Sequence, residues 1–280
     1  MREIKAREIT AAVARLCIEA CSVLGPDWWQ AMAAAQAREE APLGRDILQQ
    51  LLENARLAAG TGEPICQDTG VAVVFVEVGQ EVHITGGNLY EAINAGVRQG
   101  YTQGYLRKSV VGDPLLRKNT GDNTPAIIHT EIVDGDRLKI TVAPKGAGSE
   151  NMSGVKMLKP ADGVAGIKKY VLQVVEEAGG NPCPPIVAGV GIGGNLEKAP
   201  YLAKKALLRP LGQRHPLSHI AALEEELLAA INATGIGPQG LGGRVTALDV
   251  HIEIYPTHIA SLPVAVNLQC HAARHATAIL

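Results

Sequence analysis

The sequence predicts an α/β fold in which mixed sheets are surrounded by helices and ligand-binding loops converge at strand ends. The first sixty residues are rich in Ala, Leu, Glu, Arg and Gln, with apolar residues at helical spacing. Later segments include short β-branched runs and amphipathic stretches, separated by turns that draw on 31 Gly and 16 Pro. With 46% hydrophobic residues, the 280-residue chain can bury a substantial core.

Helices are expected throughout residues 1–60, where Ile9, Val13 and Leu16 recur at helical spacing. Beyond this helical portion, apolar β-branched runs predict strands at 71–78, 127–133, 138–142, 186–190 and 247–254. Amphipathic spacing predicts further helices at 89–104, 161–178 and 216–232. Because residues 134–136 read Asp-Gly-Asp, a turn sequence, strands 127–133 and 138–142 are expected to pair as a hairpin.

Charge and composition favour a protein that acts on a small molecule. The formal net charge is −2 with both signs interspersed, which predicts no nucleic-acid partner and no anionic membrane partner. Residues 1–12 lack the apolar core of a secretory signal, and no apolar stretch is expected to reach the ~18 residues of a membrane span. We therefore expect a cytoplasmic protein. Because no repeat or linker interrupts the sequence, we also expect a single domain over residues 1–280.

The five cysteines fall into two groups. Cys17 and Cys21 are four residues apart on the first predicted helix, so we interpret them as small core residues. Cys66, Cys183 and Cys270 instead lie in turns at strand edges, and their separations match no local zinc or ferredoxin spacing. From the residues alone, these three are either ligands of one metal centre or unrelated buried cysteines.

Several polar residues near these turns could carry chemistry. Asp68 and His258 offer proton-transfer capacity beside the cysteine loops, whereas the strand residues His129, His251 and Glu253 could be satisfied by their neighbours. Four basic residues from two polar loops could bind a small dianion or could be solvated surface charges: Arg107, Arg117, Lys118 and Lys145.

Two glycine runs match the G-x-G-x-x-G pattern, one at 189–194 and one at 235–240. The first follows a predicted strand but has no acidic residue about 20 positions later to bind a ribose hydroxyl. The second contains Pro238 and follows no strand. Neither run therefore predicts a dinucleotide site.

Five motifs, taken together and in order, resemble the N-terminal, cluster-binding part of class I fumarases. They are residues 64–70 (PICQDTG), 119–126 (NTGDNTPA), 145–151 (KGAGSEN), 181–185 (NPCPP) and 235–240 (GIGPQG). The resemblance runs from about Glu63 to the end of the chain. Each motif alone is short, but the ordered set is specific to the family.

The resemblance implies a cofactor, a [4Fe–4S] cluster, and a set of site residues. The family's cluster cysteines fall on Cys66, Cys183 and Cys270. Its catalytic and substrate-binding residues fall on five further positions: Asp68 and His258 for catalysis, and Gln67, Arg107 and Gly148 for substrate. We also expect the backbone of residues 191–194 to donate hydrogen bonds to cluster sulfurs.

One departure from the family predicts a partner. Single-chain members continue into a C-terminal domain bearing a Lys-Gly-Thr motif, whose threonine is thought to act as base, whereas this chain stops ten residues after Cys270. It resembles the α subunit of the two-subunit form, which implies a fumarate hydratase β subunit, an α2β2 or similar assembly, and a small dicarboxylate substrate.

The expected activity is interconversion of (S)-malate with fumarate and water. Residues 122–125 and 149–151 look more fumarase-like than tartrate dehydratase-like. Two alternatives remain: a tartrate dehydratase α subunit, which would share the cluster chemistry, and a non-catalytic iron–sulfur scaffold subunit.

Overall fold

The computed structural model describes residues 2–280, so Met1, with which the predicted single domain begins, lies outside the described residues. The helices, in chain order, are α1 (Ala6–Ser22), α2 (Pro26–Arg38), α3 (Pro42–Thr61), α4 (Leu89–Gln103), α5 (Ala147–Glu150), α6 (Gly163–Ala178), α7 (Lys198–Ala206) and α8 (Ser218–Ala233). The strands are β1 (Arg2–Lys5), β2 (Val71–Gly79), β3 (Val82–Thr85), β4 (Ile127–Val133), β5 (Leu138–Lys145), β6 (Gly154–Leu158), β7 (Ile186–Gly193), β8 (Ala247–Tyr255), β9 (Leu262–Gln269) and β10 (Ala276–Ile279).

The described chain divides into two compact units. The first unit comprises residues 2–24, 54–146 and 274–280, and the second comprises residues 25–53 and 147–273. Each unit contains a four-stranded sheet with helices packed against it, and both sheets combine parallel and antiparallel neighbours. The predicted α/β class with mixed sheets and surrounding helices is therefore confirmed.

The core of the first unit lies between one sheet and two helices. The strand order is β10-β5-β2-β4, with β2 parallel to β4 and antiparallel to β5. Helices α1 and α4 pack together, and the apolar residues that predicted α1, namely Ile9, Val13 and Leu16, are fully buried in this core. Gly96 and Gly100 allow the two helices to approach, since a Cβ at either position would lie under 3 Å from α1 atoms.

The predicted hairpin between residues 127–133 and 138–142 is wrong, because β2 lies between β4 and β5. The end of β2 occupies the space beneath the connecting turn, where Gly79 donates to the Arg137 carbonyl at 2.8 Å. A Cβ on Gly79 would lie 2.5 Å from the Gly135 oxygen, so glycine is required for this approach. Residues 134–136 do form a turn, but the strands that they connect, β4 and β5, lie on either side of β2.

The sheet of the second unit has the order β6-β9-β7-β8, with β7 parallel to β8 and antiparallel to β9. Helix α7 packs directly on β7 over Gly189 and Gly191. A Cβ on Gly189 would lie 2.1 Å from the Ala203 oxygen, and one on Gly191 would lie 2.0 Å from the Ala199 oxygen. The first glycine run thus serves close helix–sheet packing.

Two polar residues of the edge strand β8, His251 and Glu253, contact neighbours as expected, although the buried Nδ1 atom of His251 has no hydrogen-bond partner among the described residues. The His251 Nε2 atom lies 3.1 Å from Asp249, and Arg209 donates to Glu253 at 2.5 Å. Burial acts to raise the pKa of Asp249, but hydrogen bonds from His251, from a backbone N–H and from Arg214 lower it to about 2. These charges stabilise the sheet edge by pairing with one another.

One stretch, Ala6–Arg38, is long and apolar enough by length and composition to cross a membrane, with a mean hydropathy of 1.4 over its most apolar 18-residue window. By this criterion, the expectation that the chain has no such stretch is wrong. In the structure the stretch is divided between α1 and α2, and 56% of its most apolar window is buried within the protein. Core helices of soluble proteins pass the same test, so the finding is weak support for a membrane span.

Candidate functional site

In the first unit, Cys66 lies on a turn between α3 and β2. The turn is joined to α1 just before the cysteine, where the Ile65 N–H donates to the Cys21 carbonyl at 2.9 Å. Two residues after Cys66, the Asp68 Oδ1 atom accepts the Gly70 N–H at 3.0 Å, which closes an Asx turn. The side chains of Gln67 and Asp68 remain solvent-accessible, so this turn presents a thiol, an amide and a carboxylate together.

A buried tyrosine holds the end of this turn. The Tyr101 hydroxyl donates to the carbonyls of Thr69 at 2.8 Å and Gly70 at 3.1 Å. Burial raises the pKa of Tyr101 well above its usual value, so the hydroxyl keeps its proton and remains a donor. Helix α4 therefore fixes the backbone just after Asp68.

The loop that carries Arg107 is attached to the same turn. The Thr69 hydroxyl donates to the Arg107 carbonyl at 3.1 Å. Asn123, fully buried, accepts the N–H groups of Ser109 at 2.6 Å and Val110 at 3.2 Å and donates to the Gly70 carbonyl at 3.1 Å. The structure thus brings the exposed Arg107 together with the turn that carries Gln67 and Asp68.

In the second unit, Cys183 lies in a turn whose shape is fixed by its backbone conformation. Its backbone adopts a positive φ of 56°, between Pro182 and Pro184, and its N–H donates to the Gly180 carbonyl at 3.0 Å. Gly240, from the second glycine run, packs on this turn so closely that a Cβ would lie 2.5 Å from the Gly180 Cα atom. That run therefore supports the Cys183 turn.

Cys270 lies at the same end of the sheet as Cys183. Cys183 precedes β7 by three residues, Cys270 directly follows β9, and Val187 pairs with Gln269. The residue after Cys270, His271, donates its N–H to the Cys183 carbonyl at 3.3 Å. Two of the three predicted cluster cysteines are therefore brought together within one unit.

Gly148 also lies beside the Cys183 turn. A Cβ at Gly148 would lie 3.4 Å from the Asn181 oxygen, and Gly148 is exposed. The loop bearing Gly148 thus reaches the same end of the second unit's sheet as the two cysteines. Its assignment to substrate stays a prediction.

His258 lies at the opposite end of this sheet. It falls between the last residue of β8 and the first of β9, whereas Cys270 follows β9, a separation of about 25 Å along an eight-residue strand. The structure does not bring His258 to Cys183 or Cys270 of its own chain, and its catalytic role stays a prediction. The expected hydrogen bonds from residues 191–194 to cluster sulfurs also stay a prediction, since these residues lie at the end of β7 that is away from Cys183.

None of the five cysteines forms a disulfide bond, but their surroundings differ. Cys17 and Cys21 are buried as predicted, and burial raises the pKa of both thiols, that of Cys21 to about 11. Cys66 and Cys270 are partly exposed, and Cys183 is exposed. Among residues 2–280, no three His, Cys, Asp or Glu side chains surround a point that could hold a single metal ion.

The remaining candidates are placed as follows. Arg117 and Lys118 are exposed, Lys145 is buried, and His129 lies against the Phe75 ring with centroids 5.1 Å apart. Sequence reasoning did not single out three buried residues that hold the Cys66 turn: Tyr101, Asn123 and Arg274. Asn123 belongs to one of the quoted motifs, which was a usable signal, whereas nothing local marks Tyr101 or Arg274.

Comparison with known proteins gives consistent matches. Residues 10–279 match the model of the family described as Fumarate hydratase (Fumerase). A protein of Methanocaldococcus jannaschii, provisionally named L(+)-tartrate dehydratase subunit alpha, is 46% identical over 276 residues, covering 96% of each chain. The L(+)-tartrate dehydratase subunit alpha of Escherichia coli K12 is 35% identical over 245 residues, covering 86% of this chain and 80% of that protein.

Proposed function

The chain belongs to the fumarate hydratase family of hydro-lyases, which includes tartrate dehydratase α subunits, and from this premise we propose that it is the α subunit of an enzyme that interconverts (S)-malate with fumarate and water. The observation that carries the proposal is the set of three solvent-accessible thiols outside disulfide bonds, Cys66, Cys183 and Cys270, each on a turn. The same turns carry or adjoin polar groups suited to a small dicarboxylate.

The donor chemistry fits a [4Fe–4S] cluster held by Cys66, Cys183 and Cys270. Thiolates are the usual ligands of iron–sulfur clusters, and each of three irons would take one sulfur. Such ligands do not surround a single point, because the cluster itself lies among them, so the arrangement is compatible with the lack of a single-ion site among residues 2–280. When bound, the cluster would supply a Lewis-acidic iron that lacks a protein ligand.

The chain's own residues would bind and orient the substrate. Arg107 offers a planar guanidinium for a carboxylate, and its loop is fixed to the Cys66 turn through Thr69. The Gln67 amide can donate to a second oxygen of the substrate. Asp68 would hold or move a proton, with its carboxylate oriented by the Gly70 N–H.

A β subunit is part of the proposal. The relatives named above are described as α subunits, and the fumarase resemblance assigns the catalytic threonine to a separate domain. We expect the isolated chain to bind a cluster but to turn over substrate only with its β subunit, in an α2β2 or similar assembly.

The test is to co-express the chain with its β subunit, purify the complex without oxygen, and measure fumarate formation from (S)-malate. We expect a brown complex with hydratase activity that is lost on exposure to air. A colourless complex after anaerobic iron and sulfide treatment would contradict the cluster. An intact cluster without turnover of any hydroxy-dicarboxylate would favour a non-catalytic scaffold subunit.

L(+)-tartrate is the second candidate substrate, and the names of the relatives favour it. Tartrate differs from malate by one hydroxyl group, and a site built to hydrogen-bond that group rejects the substrate that lacks it. Comparing kcat/KM for the two acids with the same complex distinguishes the candidates. A higher value for L(+)-tartrate would replace the malate assignment while leaving the hydro-lyase reaction unchanged.

A further inference from the structure

Arg274 is a buried arginine that lies against the turn bearing Asp68. Its side chain is only 2% exposed. The Nη2 atom donates to the Asp68 carbonyl, and the Nε atom lies 3.5 Å from the Pro144 carbonyl. Because guanidinium is always charged, its burial is costly unless its N–H groups are used, and here Nη2 and Nε are used on the backbone of two loops.

The two loops joined by Arg274 are in close contact. A Cβ on Gly70 would lie 2.4 Å from the Lys145 carbonyl oxygen, and a Cβ on Gly146 would lie 3.0 Å from the Asp68 Oδ2 atom. The same point beside Gly146 is 3.5 Å from Arg274 Nη2. The Asp68 carboxylate therefore faces a gap that exists only because residue 146 is glycine.

Asp68 is thereby held at both its backbone and its side chain. Arg274 fixes the carbonyl, and the Gly70 N–H fixes Oδ1 at 3.0 Å. With these two contacts the peptide plane and the side-chain torsion are both restricted, so the direction of Oδ2 is set. Proton transfer by Asp68 depends on this fixed orientation, whereas the stability of the fold does not require it.

We propose that Arg274 is a positioning residue for Asp68, holding the Cys66–Gly70 turn against the Lys145–Gly146 loop so that the Asp68 carboxylate points in one direction. This inference rests on the proposed function, since Asp68 acts on a proton only if the enzyme is a hydro-lyase. Lysine at this position keeps the charge but has a single nitrogen, so it cannot reproduce the two separate donors of the guanidinium.

A merely structural role for Arg274 would lower stability without acting on Asp68. Arg214 provides the matched control, because its side chain is 24% exposed and donates both to a backbone carbonyl, that of Val250, and to Asp249, within the second unit. Substitution of either arginine by lysine should lower Tm. Only Arg274→Lys should change the turn at Asp68.

The experiment compares Arg274→Lys, Arg274→Gln and Arg214→Lys in the αβ complex. Amide hydrogen exchange reports on residues 66–70 and 145–146, and kcat and KM are measured per loaded cluster, with loading taken from the iron content. For Arg274→Lys we expect faster exchange in both segments and a fall in kcat of about ten- to a hundred-fold with little change in KM, as for a misoriented catalytic group. Arg214→Lys should leave both measurements unchanged.

Unchanged exchange in residues 66–70 for a folded Arg274→Lys complex would overturn the proposal, as would an unchanged kcat per cluster. If Arg274→Gln does not fold, Arg274→Lys alone decides. If the wild-type complex turns over no hydroxy-dicarboxylate while exchange still rises in the variant, the proposed function fails, and with it the catalytic purpose of the positioning. The holding of the turn by Arg274 would stand in that case.

Discussion

The turns around Cys66 and Cys183 are held in place by different means. In the first unit, buried side chains from distant parts of the sequence donate to the turn's carbonyls: Tyr101, Asn123 and Arg274. In the second unit, the Cys183 turn is shaped mainly by backbone geometry, through flanking prolines, a positive φ and close contact with Gly240. The first turn should therefore be sensitive to substitutions far away in sequence, and the second to substitutions that change backbone geometry.

The largest expected effect is loss of the cluster from Cys183→Ser. Serine has no thiolate to offer iron, and Cys183 is exposed, so its replacement leaves the core intact. We expect iron content and the absorbance at roughly 400 nm to fall to background after anaerobic reconstitution, with little change in Tm.

Cys17→Ser is the matched control, since that thiol is buried in the core of the first unit. It should retain iron while lowering the free energy of unfolding by about 1–3 kcal/mol, because a hydroxyl is buried among apolar neighbours. Normal iron content in Cys183→Ser would remove Cys183 from the ligand set. The Cys183 turn could then no longer be compared with the Cys66 turn as a cluster-binding loop.

The next effect concerns the side-chain support of the first turn. Asn123→Ala removes three hydrogen bonds and leaves the N–H groups of Ser109 and Val110 without their acceptor. We expect the free energy of unfolding to fall by about 3 kcal/mol, measured by urea denaturation. Asn119→Ala, at an exposed asparagine of the same loop, should cost about 1 kcal/mol or less. Equal costs would contradict a special role for buried donors and acceptors here.

The smallest effect sharpens the description of the second turn. Gln239 has a positive φ of 53° and donates through its side chain to the Pro184 carbonyl at 2.8 Å. Gln239→Ala and Gln239→Gly both remove this side-chain bond, but only glycine adopts the left-handed backbone without steric cost. We expect the alanine variant to be less stable by about 1 kcal/mol in thermal or urea unfolding. Equal stabilities of the two variants would contradict a steric cost of the left-handed backbone at residue 239.

Much of the secondary structure could be predicted because it depends on local periodicity. The strand at 71–78 and the helix at 161–178 correspond to β2 and α6 within two residues. The prediction of a hairpin failed because a turn sequence indicates only that two strands are connected, and not that a third strand lies between them. The short strands β1 and β3 pair in parallel with each other and were missed, since neither carries a long apolar run.

The candidate site was predictable where its residues sit in motifs and unpredictable where they act through the fold. Gln67, Asp68 and Arg107 were found, and the fold joins the two loops that carry them. The position of His258 could not be predicted, because distance in sequence from Cys270 does not reveal that a whole strand separates them. Arg274 was missed because its partners lie 206 and 130 residues away.

The composition of the first unit has a consequence for biosynthesis. Residues 274–280 belong to this unit, and β10 within them completes its sheet beside β5. A ribosome makes these residues only after the whole sequence of the second unit, so neither the sheet of the first unit nor the contact of Arg274 with the Cys66 turn can be completed until they emerge. A nascent chain that lacks residues 274–280 should therefore hold the Cys66 turn less firmly than the full sequence does.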